Sequence, residues 1–542
     1  MTGVVVCPQP RIAEAGAQVL ETGGNAFDAA IATAFLQMIV DPFMCGIGGF
    51  ASIQAWAPTS GRHQIIDGNL QVGSRAYPEM WAKDYQGRAP FSGSSIFSDY
   101  RSEIGYSSIC VPGTMAALGT LHRQYCTQPW ADLLQPAIRI AREGVQATSG
   151  TRDFLAGRPS PGSPDGLTRL NASEACARIY LHPDGSLFDV GEVIRNPDYA
   201  NVLEILAKKG PDEFYQGELS QTIGQDLEKN GALVTMQDLE RYRPQIRKPA
   251  ATTYRGYKVF SNCPPAGGPM LLEALNILEC FGLSHMEHNS AEHLTLVADT
   301  LRLVFQDRRL YYEGPEATET TEEEALLTKE HAQHLARNRR TTGDTPETGR
   351  GSSHTTQLVV VDQEGNIAAI THSLAAFSGV ITPGLGFIYN DGMNTFDPIP
   401  GRLNSIGPGK FRLYNVMPTI VFQGDEPRLA LGAPGGQAIL SGCFQAISNV
   451  LDFGMTAVEA VYAPRIHAEG WTVWGEARIR TETCDALTKQ GYTVERQPFS
   501  FSPRLAQVQL VRLLPDGRLD GGSDPRGGGE ASATPEARRS NC

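Results

Sequence analysis

A chain of 542 residues exceeds a typical single-core domain, and 41% hydrophobic with 19% charged residues supplies ample material for a globular core. Its 46 Lys+Arg against 59 Asp+Glu leave a net charge of −13, which argues against nucleic acid as a partner, since such proteins carry a basic stripe. No run of about 18 apolar residues is present, so neither a membrane-spanning helix nor a membrane partner is expected.

In chain order, PRIAEAGAQVLETGG (10–24) predicts a helix with apolar Ile12, Val19 and Leu20, stopped by Gly23-Gly24. Asn25 can cap the next helix, AFDAAIATAFLQMIV, which is apolar nearly all round and so belongs in a core. CGIGGFASIQAW leads into a strand, and strands and helices are expected to alternate to about residue 312. The longest helix candidates there are GTMAALGTLHRQY, NVLEILAKKG and AEHLTLVADTLRLVFQDRRLYY. Residues 313–354 are rich in Glu, Thr, Arg, Gly and Ser, which predicts a mobile linker or a surface segment ending in one. Beyond them the pattern turns to β: TQLVVVD, a turn at QEGN, IAAITHSL, GFIYN, MPTIVFQ and PRLALGA. PGGQAILSGCFQAISNVLDFG predicts an amphipathic helix behind Pro-Gly-Gly, AQVQLVRLL another strand, and the tail after Gly521 is expected to be loose.

Ten cysteines are scattered without a C-x-x-C pair, a pattern of free thiols in a reducing compartment. MTGVVVCPQPR does not read as a signal peptide, so a cytoplasmic location is the default, or a periplasmic or secreted one if a leader was removed.

Several familiar sites are absent: there is no G-x-S-x-G elbow, no Walker A and no H-E-x-x-H. Gly46-Ile47-Gly48-Gly49-Phe50-Ala51 imitates a dinucleotide fingerprint but follows a helix and enters a strand, the reverse of the required order. The pairs His285/His288 and His331/His334 have helical spacing but no ligand shell, and read as surface histidines. Arg337 to Arg340, near the acidic TETTEEE, reads as solvated surface. No metal and no cofactor are expected.

The stretch GSSHTTQLVVVD (351–362) sets a polar run directly against a strand. Threonine favours β structure, so Thr-Thr can simply open the strand. A hydroxyl becomes a working nucleophile only when a base takes its proton, and an N-terminal threonine carries that base as its own α-amine. That amine has a pKa of about 7.7–8.0, so a sizeable fraction is neutral near neutral pH. Cleavage of the His354–Thr355 bond would create it.

The wider pattern resembles the γ-glutamyltransferase family of self-processing N-terminal-nucleophile hydrolases over nearly the whole chain. The resemblance runs from ETGGNAFDAAIATA and GIGGF through VPGT, PPAGG and DRRLYY. It continues in HTTQLVVVDQEGNIAAIT, FIYNDGMNTF, MPTIVF, LGAPGGQAIL, APRIH and GSDPRGGG. It implies an α+β fold, a four-layer α-β-β-α sandwich made by two chains from one precursor. These are a large chain, 1–354, and a small catalytic chain, 355–542, which stay associated. It further implies that Thr355 attacks an amide carbonyl and holds the acyl group as an ester, which water or an amine resolves. Gly435 and Gly436 match the family's oxyanion-binding glycine pair. They also open a predicted helix, whose first N–H groups lack partners and whose dipole favours negative charge. Arg75, in QVGSRAYPEM, lies where the resemblance puts an arginine that clamps a substrate carboxylate.

The match also departs from the family. In the stretch that recognises the glutamyl α-amine stand Asn390, Asp391, Gly392, Met393, Asn394 and Thr395, with Thr395 where an Asp is usual. Ser373 keeps a hydroxyl that could orient the nucleophile, Ala375 keeps no polar group, and Gln357 replaces a histidine. The paired serines before the M-x-P-T strand appear as Tyr414 and Asn415, and the segment from Phe396 to Pro418 looks shorter. Asp391, Asn394, Thr395, Tyr414 and Asn415 are therefore the substrate-binding candidates beside Arg75. The expected partner is a small amide carrying a carboxylate, with γ-glutamyl compounds first. The alternatives are a glutaryl- or oxamyl-type acyl group without an α-amine, and an unprocessed protein that only binds a ligand.

Overall fold

The valine-rich strand beginning at His354 is buried on both faces, and the two faces meet different partners. Leu358 and Val360 pack into a core shared with helices, while Val359 and Val361 pack against a second sheet. Period-two alternation thus becomes a layered architecture.

The computed structural model describes residues 3–88, 94–157, 161–310, 323–340 and 354–534. The strands of the two main sheets are, in chain order, β1 (Gly3–Cys7), β2 (Phe50–Ala57), β3 (Arg62–Gly68), β4 (Gln245–Arg247), β5 (Ala250–Tyr254) and β6 (Tyr257–Ser261). They continue as β7 (His354–Asp362), β8 (Ile367–Ala375), β9 (Thr419–Gln423), β10 (Glu426–Gly432), β11 (Gln509–Leu513), β12 (Leu519–Ser523) and β13 (Glu530–Ala533). The first sheet has the order β13-β1-β7-β8-β2-β3-β4 and the second β12-β11-β10-β9-β6-β5, with antiparallel pairing in both.

Val4, Val6, Val359, Val361, Ile367 and Ala369 of the first sheet meet Ile420, Phe422, Ala430 and Val511 of the second. Helices Pro10–Glu21, Ala26–Val40 and Thr114–Tyr125 cover the outer face of the first sheet. Gly268–Glu279, Ala291–Arg308 and Ala438–Leu451 share a core with outward residues of the second, such as Val421 and Leu429. This is the α-β-β-α sandwich the resemblance implied.

The helix Ala26–Val40 explains itself locally. The Asn25 side chain accepts from Phe27 N and Asp28 N, and Asp28 accepts from Asn25 N, a complete capping box. Every residue from Ala26 to Ile39 is buried, as an all-round apolar sequence demands. Asp362 at the end of β7 accepts from Ala26 N at 2.9 Å and ties this helix to the sheet.

Four expectations are corrected. Between Thr114 and Arg241 helices dominate, and the strands there are two-residue pieces, because the segment packs as helices on the first sheet rather than extending it. GFIYN forms no strand; Tyr389 makes one isolated bridge to Gly48. Within 313–354, expected as a mobile linker or a surface segment ending in one, Lys329–Asn338 is a helix whose Ala332, Leu335 and Ala336, at i, i+3 and i+4, pack into the second core. Residues 313–322 and 341–353 of that stretch lie outside the described residues. The tail after Gly521 is anchored rather than loose: β13 pairs with β1, and the Arg526 side chain is fully buried against Glu476 (2.7 Å) and Asp524 (2.9 Å). No helix among the described residues is long and apolar enough to cross a membrane.

Candidate active site

The inter-sheet face of the first sheet carries the row Val361, Val359, Gln357, Thr355 along β7, apolar at one end and polar at the other. Ser373 on β8 stands directly opposite Thr355, and Phe50 on β2 directly opposite Ser373. Directly opposed residues project to the same face, so these three side chains form a cross-strand row.

Thr355 Oγ1 lies 2.9 Å from Ser373 Oγ. The Ser373 oxygen also accepts from Ala375 N at 2.9 Å, and either hydroxyl of the Thr355–Ser373 pair can be the donor. Ala375 sits at a bulge with φ 73°, a left-handed conformation rare for alanine, and the bulge folds its N–H back onto Ser373. Gly49 fits against this strand because it lacks a side chain; a Cβ there would stand 2.1 Å from the Ser373 carbonyl oxygen. The GIGGF turn thus serves packing at the site rather than a nucleotide.

Thr355 and Ser373 open onto a cleft also lined by Gly435 and Gly436. The helix expected to start at this pair begins two residues later, at Ala438, with Gln437 as its N-cap. Both glycines take positive φ (147° and 58°), and a Cβ on Gly435 would meet Ala506 Cα at 2.7 Å. Neither Gly435 N–H nor Gly436 N–H has an acceptor in the protein among the described residues. The glycine turn itself, ahead of the helix, thus holds two backbone donors without an acceptor among the described residues, on a stretch that lines the cleft.

Asn394, Thr395, Tyr414 and Asn415 line the same cleft. Asn394 Nδ2 donates to Asp391 and Asn415 Nδ2 to Gln437 Oε1, and each amide is left with a buried carbonyl oxygen that has no partner among the described residues. The Tyr414 hydroxyl donates to Asp67 at 2.7 Å, and burial pushes that carboxyl up to about 6. Thr395 Oγ1 accepts from Arg412 Nε at 3.0 Å.

Two site expectations are corrected. Arg75 does not line the cleft; its guanidinium pairs with Glu228 at 3.4 Å on the surface, where the side chains are 44% and 38% exposed. Its backbone N–H donates to Leu233 O at 3.2 Å. Asp391 is fully buried and already engaged: it accepts from Ala376 N and Asn394 Nδ2 and pairs with Arg169 at 3.3 Å. Burial pushes its carboxyl up to about 7 against the opposing pull of Arg169. The His354 side chain lies outside the described residues.

Several charged side chains line the cleft, and Arg412, not foreseen from the sequence, is the one among them that shares a segment with the candidates Tyr414 and Asn415. Arg412 shares the inward row of an extended segment with Tyr414 and Val416, all buried. An arginine on the buried phase of an alternating segment was the available signal.

Comparison with known proteins adds an independent line. The family model for gamma-glutamyltranspeptidase matches residues 12–534. The chain is 32% identical over 538 residues to the acylase ACY 1 proenzyme of Pseudomonas sp. (strain SE83), covering 96% of this chain and 91% of that one. It is 30% identical over 553 residues to the glutathione hydrolase proenzyme of Escherichia coli (strain K12), covering 97% and 90%. Among solved structures, cephalosporin acylase from Bacillus halodurans superposes with a TM-score of 0.86 at 28% identity, over 98% of this chain and 95% of that one.

Proposed function

This chain belongs to the gamma-glutamyltranspeptidase family, and on that footing we propose that Thr355 is the nucleophile of a self-processed amidohydrolase and acyltransferase. Its substrate is a small amide whose acyl group carries a carboxylate, γ-glutamyl amides first. The observation that carries the reading is the 2.9 Å contact between the Thr355 and Ser373 hydroxyls, on the cleft that Gly435 and Gly436 line.

Processing breaks the His354–Thr355 bond and yields chains 1–354 and 355–542, which remain associated. The described structure supports their association, because β7 and β8 lie between β1 and β2 in one sheet, so separation would break that sheet. The freed α-amine takes the proton of Thr355 Oγ1 as the oxygen attacks the amide carbonyl. The N–H groups of Gly435 and Gly436 stabilise the oxyanion, where one donor typically contributes about 2.7–4 kcal/mol to the transition state. Collapse expels the amine, which takes the proton, and leaves an acyl-threonine ester. Water or a second amine then releases the acyl group.

A second reading is favoured by Asp391, whose carboxylate is engaged by Arg169, Asn394 and a backbone N–H. Without an open carboxylate for an α-ammonium, a desamino diacid such as a glutaryl group fits equally well. Release of p-nitroaniline from γ-glutamyl- and glutaryl-p-nitroanilide tests both. The proposal expects turnover of at least one substrate and its loss in Thr355→Ala; turnover retained in that variant refutes it.

A further inference from the structure

We propose that Arg412, rather than Arg75, is the residue that anchors the carboxylate of the acyl group. The assignment rests on the amidohydrolase reading above and deepens it.

Arg412 is 9% exposed and lines the cleft with Thr355, Ser373 and the glycine pair. Among the described residues its guanidinium makes one hydrogen bond, from Nε to Thr395 Oγ1 at 3.0 Å. No carboxylate among the described residues forms an ion pair with it, and neither Nη is a buried atom lacking a partner. The terminal nitrogens therefore reach the cleft while the rest of the side chain is enclosed. A buried guanidinium without an anion is costly, and such groups are ordinarily paired. Burial lowers its pKa, the direction expected for a cation deprived of water, with Asp391 opposing from a distance. An incoming carboxylate would meet two parallel N–H groups, the fork geometry that distinguishes arginine from lysine.

The position also sets a length. The guanidinium carbon lies 5.5 Å from the centre of the Phe50 ring, and Phe50 stands opposite Ser373, which stands opposite Thr355. Two strand spacings separate Phe50 from Thr355, about 10 Å in all. Arg412 thus sits beside the far end of the row that starts at Thr355, where a short diacid amide would set its carboxylate with its acyl carbon at Thr355 Oγ1. The ligand class is a monoamide of a short dicarboxylic acid. The carboxylate is the required feature; an α-amino group is not.

The test uses the purified full-length gene product, wild type and Arg412→Gln, Arg412→Lys and Arg75→Gln. It measures kcat and KM for glutaryl-, γ-glutamyl- and the uncharged pentanoyl-p-nitroanilide. Arg412→Gln is expected to lower kcat/KM about ten- to hundredfold on the acidic substrates, mainly through KM, and to leave the pentanoyl substrate within about threefold. Arg412→Lys recovers part of the loss, and Arg75→Gln matches wild type. Equal losses on charged and uncharged substrates, no loss on the charged ones, or a selective loss in Arg75→Gln overturn the proposal. If wild type turns over none of the three, the amidohydrolase reading has failed, and glutarate binding by calorimetry decides for Arg412 on its own. Binding by wild type that Arg412→Gln abolishes supports the anchor; binding absent from wild type, or retained in the variant, overturns it.

Discussion

Ser373 Oγ stands 2.9 Å from Thr355 Oγ1 across the β7–β8 ladder and is itself fixed by the Ala375 N–H at a bulge. The second contact gives the serine a role that its volume alone would not. Ser373→Ala is expected to fold normally and to lower kcat about tenfold, the worth of one oriented hydrogen bond to the nucleophile. Steady-state kinetics beside a thermal melt checks this; an unchanged kcat with a lowered Tm would make the serine structural.

Gly435 is held at positive φ with Ala506 against the space a side chain would need. Gly435→Ala therefore strains the backbone and displaces the turn that carries the two N–H groups. We expect a loss of about 1–3 kcal/mol of stability together with a fall in kcat, read from denaturant unfolding and initial rates.

Arg526 binds Glu476 and Asp524 where all three side chains are fully buried. Removing the cation leaves two buried carboxylates short of a partner. Arg526→Ala is expected to cost about 3–5 kcal/mol, and truncation after Gly521, which also removes β13, to abolish soluble expression. A truncated protein with wild-type Tm would contradict the anchored tail.

His331, which the sequence suggested was a surface residue, donates to Asp307 at 2.6 Å beside Glu273 (3.6 Å). The Asp307 hydrogen bond first, and Glu273 next, raise its pKa to about 10. The folded value exceeds the ordinary 6.5, so its stabilisation is complete below pH 6.5 and is lost as pH rises through about 10. Melts from pH 6 to 10.5 should fall more steeply for wild type than for His331→Gln; parallel curves would deny the coupling.

Much of the fold was legible because its long elements announce themselves. The all-round apolar helix after Asn25 and the alternating strands from Thr355 to Gly432 encode their burial by local period. What the sequence hid depended on distant partners. Arg526 looks like part of a glycine-rich tail until Glu476, 50 residues away, is brought beside it. Arg75 and Arg412 are indistinguishable as residue types, and only the surface pairing of Arg75 with Glu228 and the buried phase of the segment around Arg412 separate them. Asp391 looked available in the sequence; its partner Arg169 lies 222 residues away and occupies it.

The account depends most on how the backbone ends at Thr355. Intact-mass spectrometry with N-terminal sequencing of the active protein measures this directly. Two polypeptides, the smaller beginning at Thr355, replaced by one uncleaved chain in Thr355→Ala, are the predicted result. A fully active preparation consisting of one unbroken 542-residue chain would contradict it.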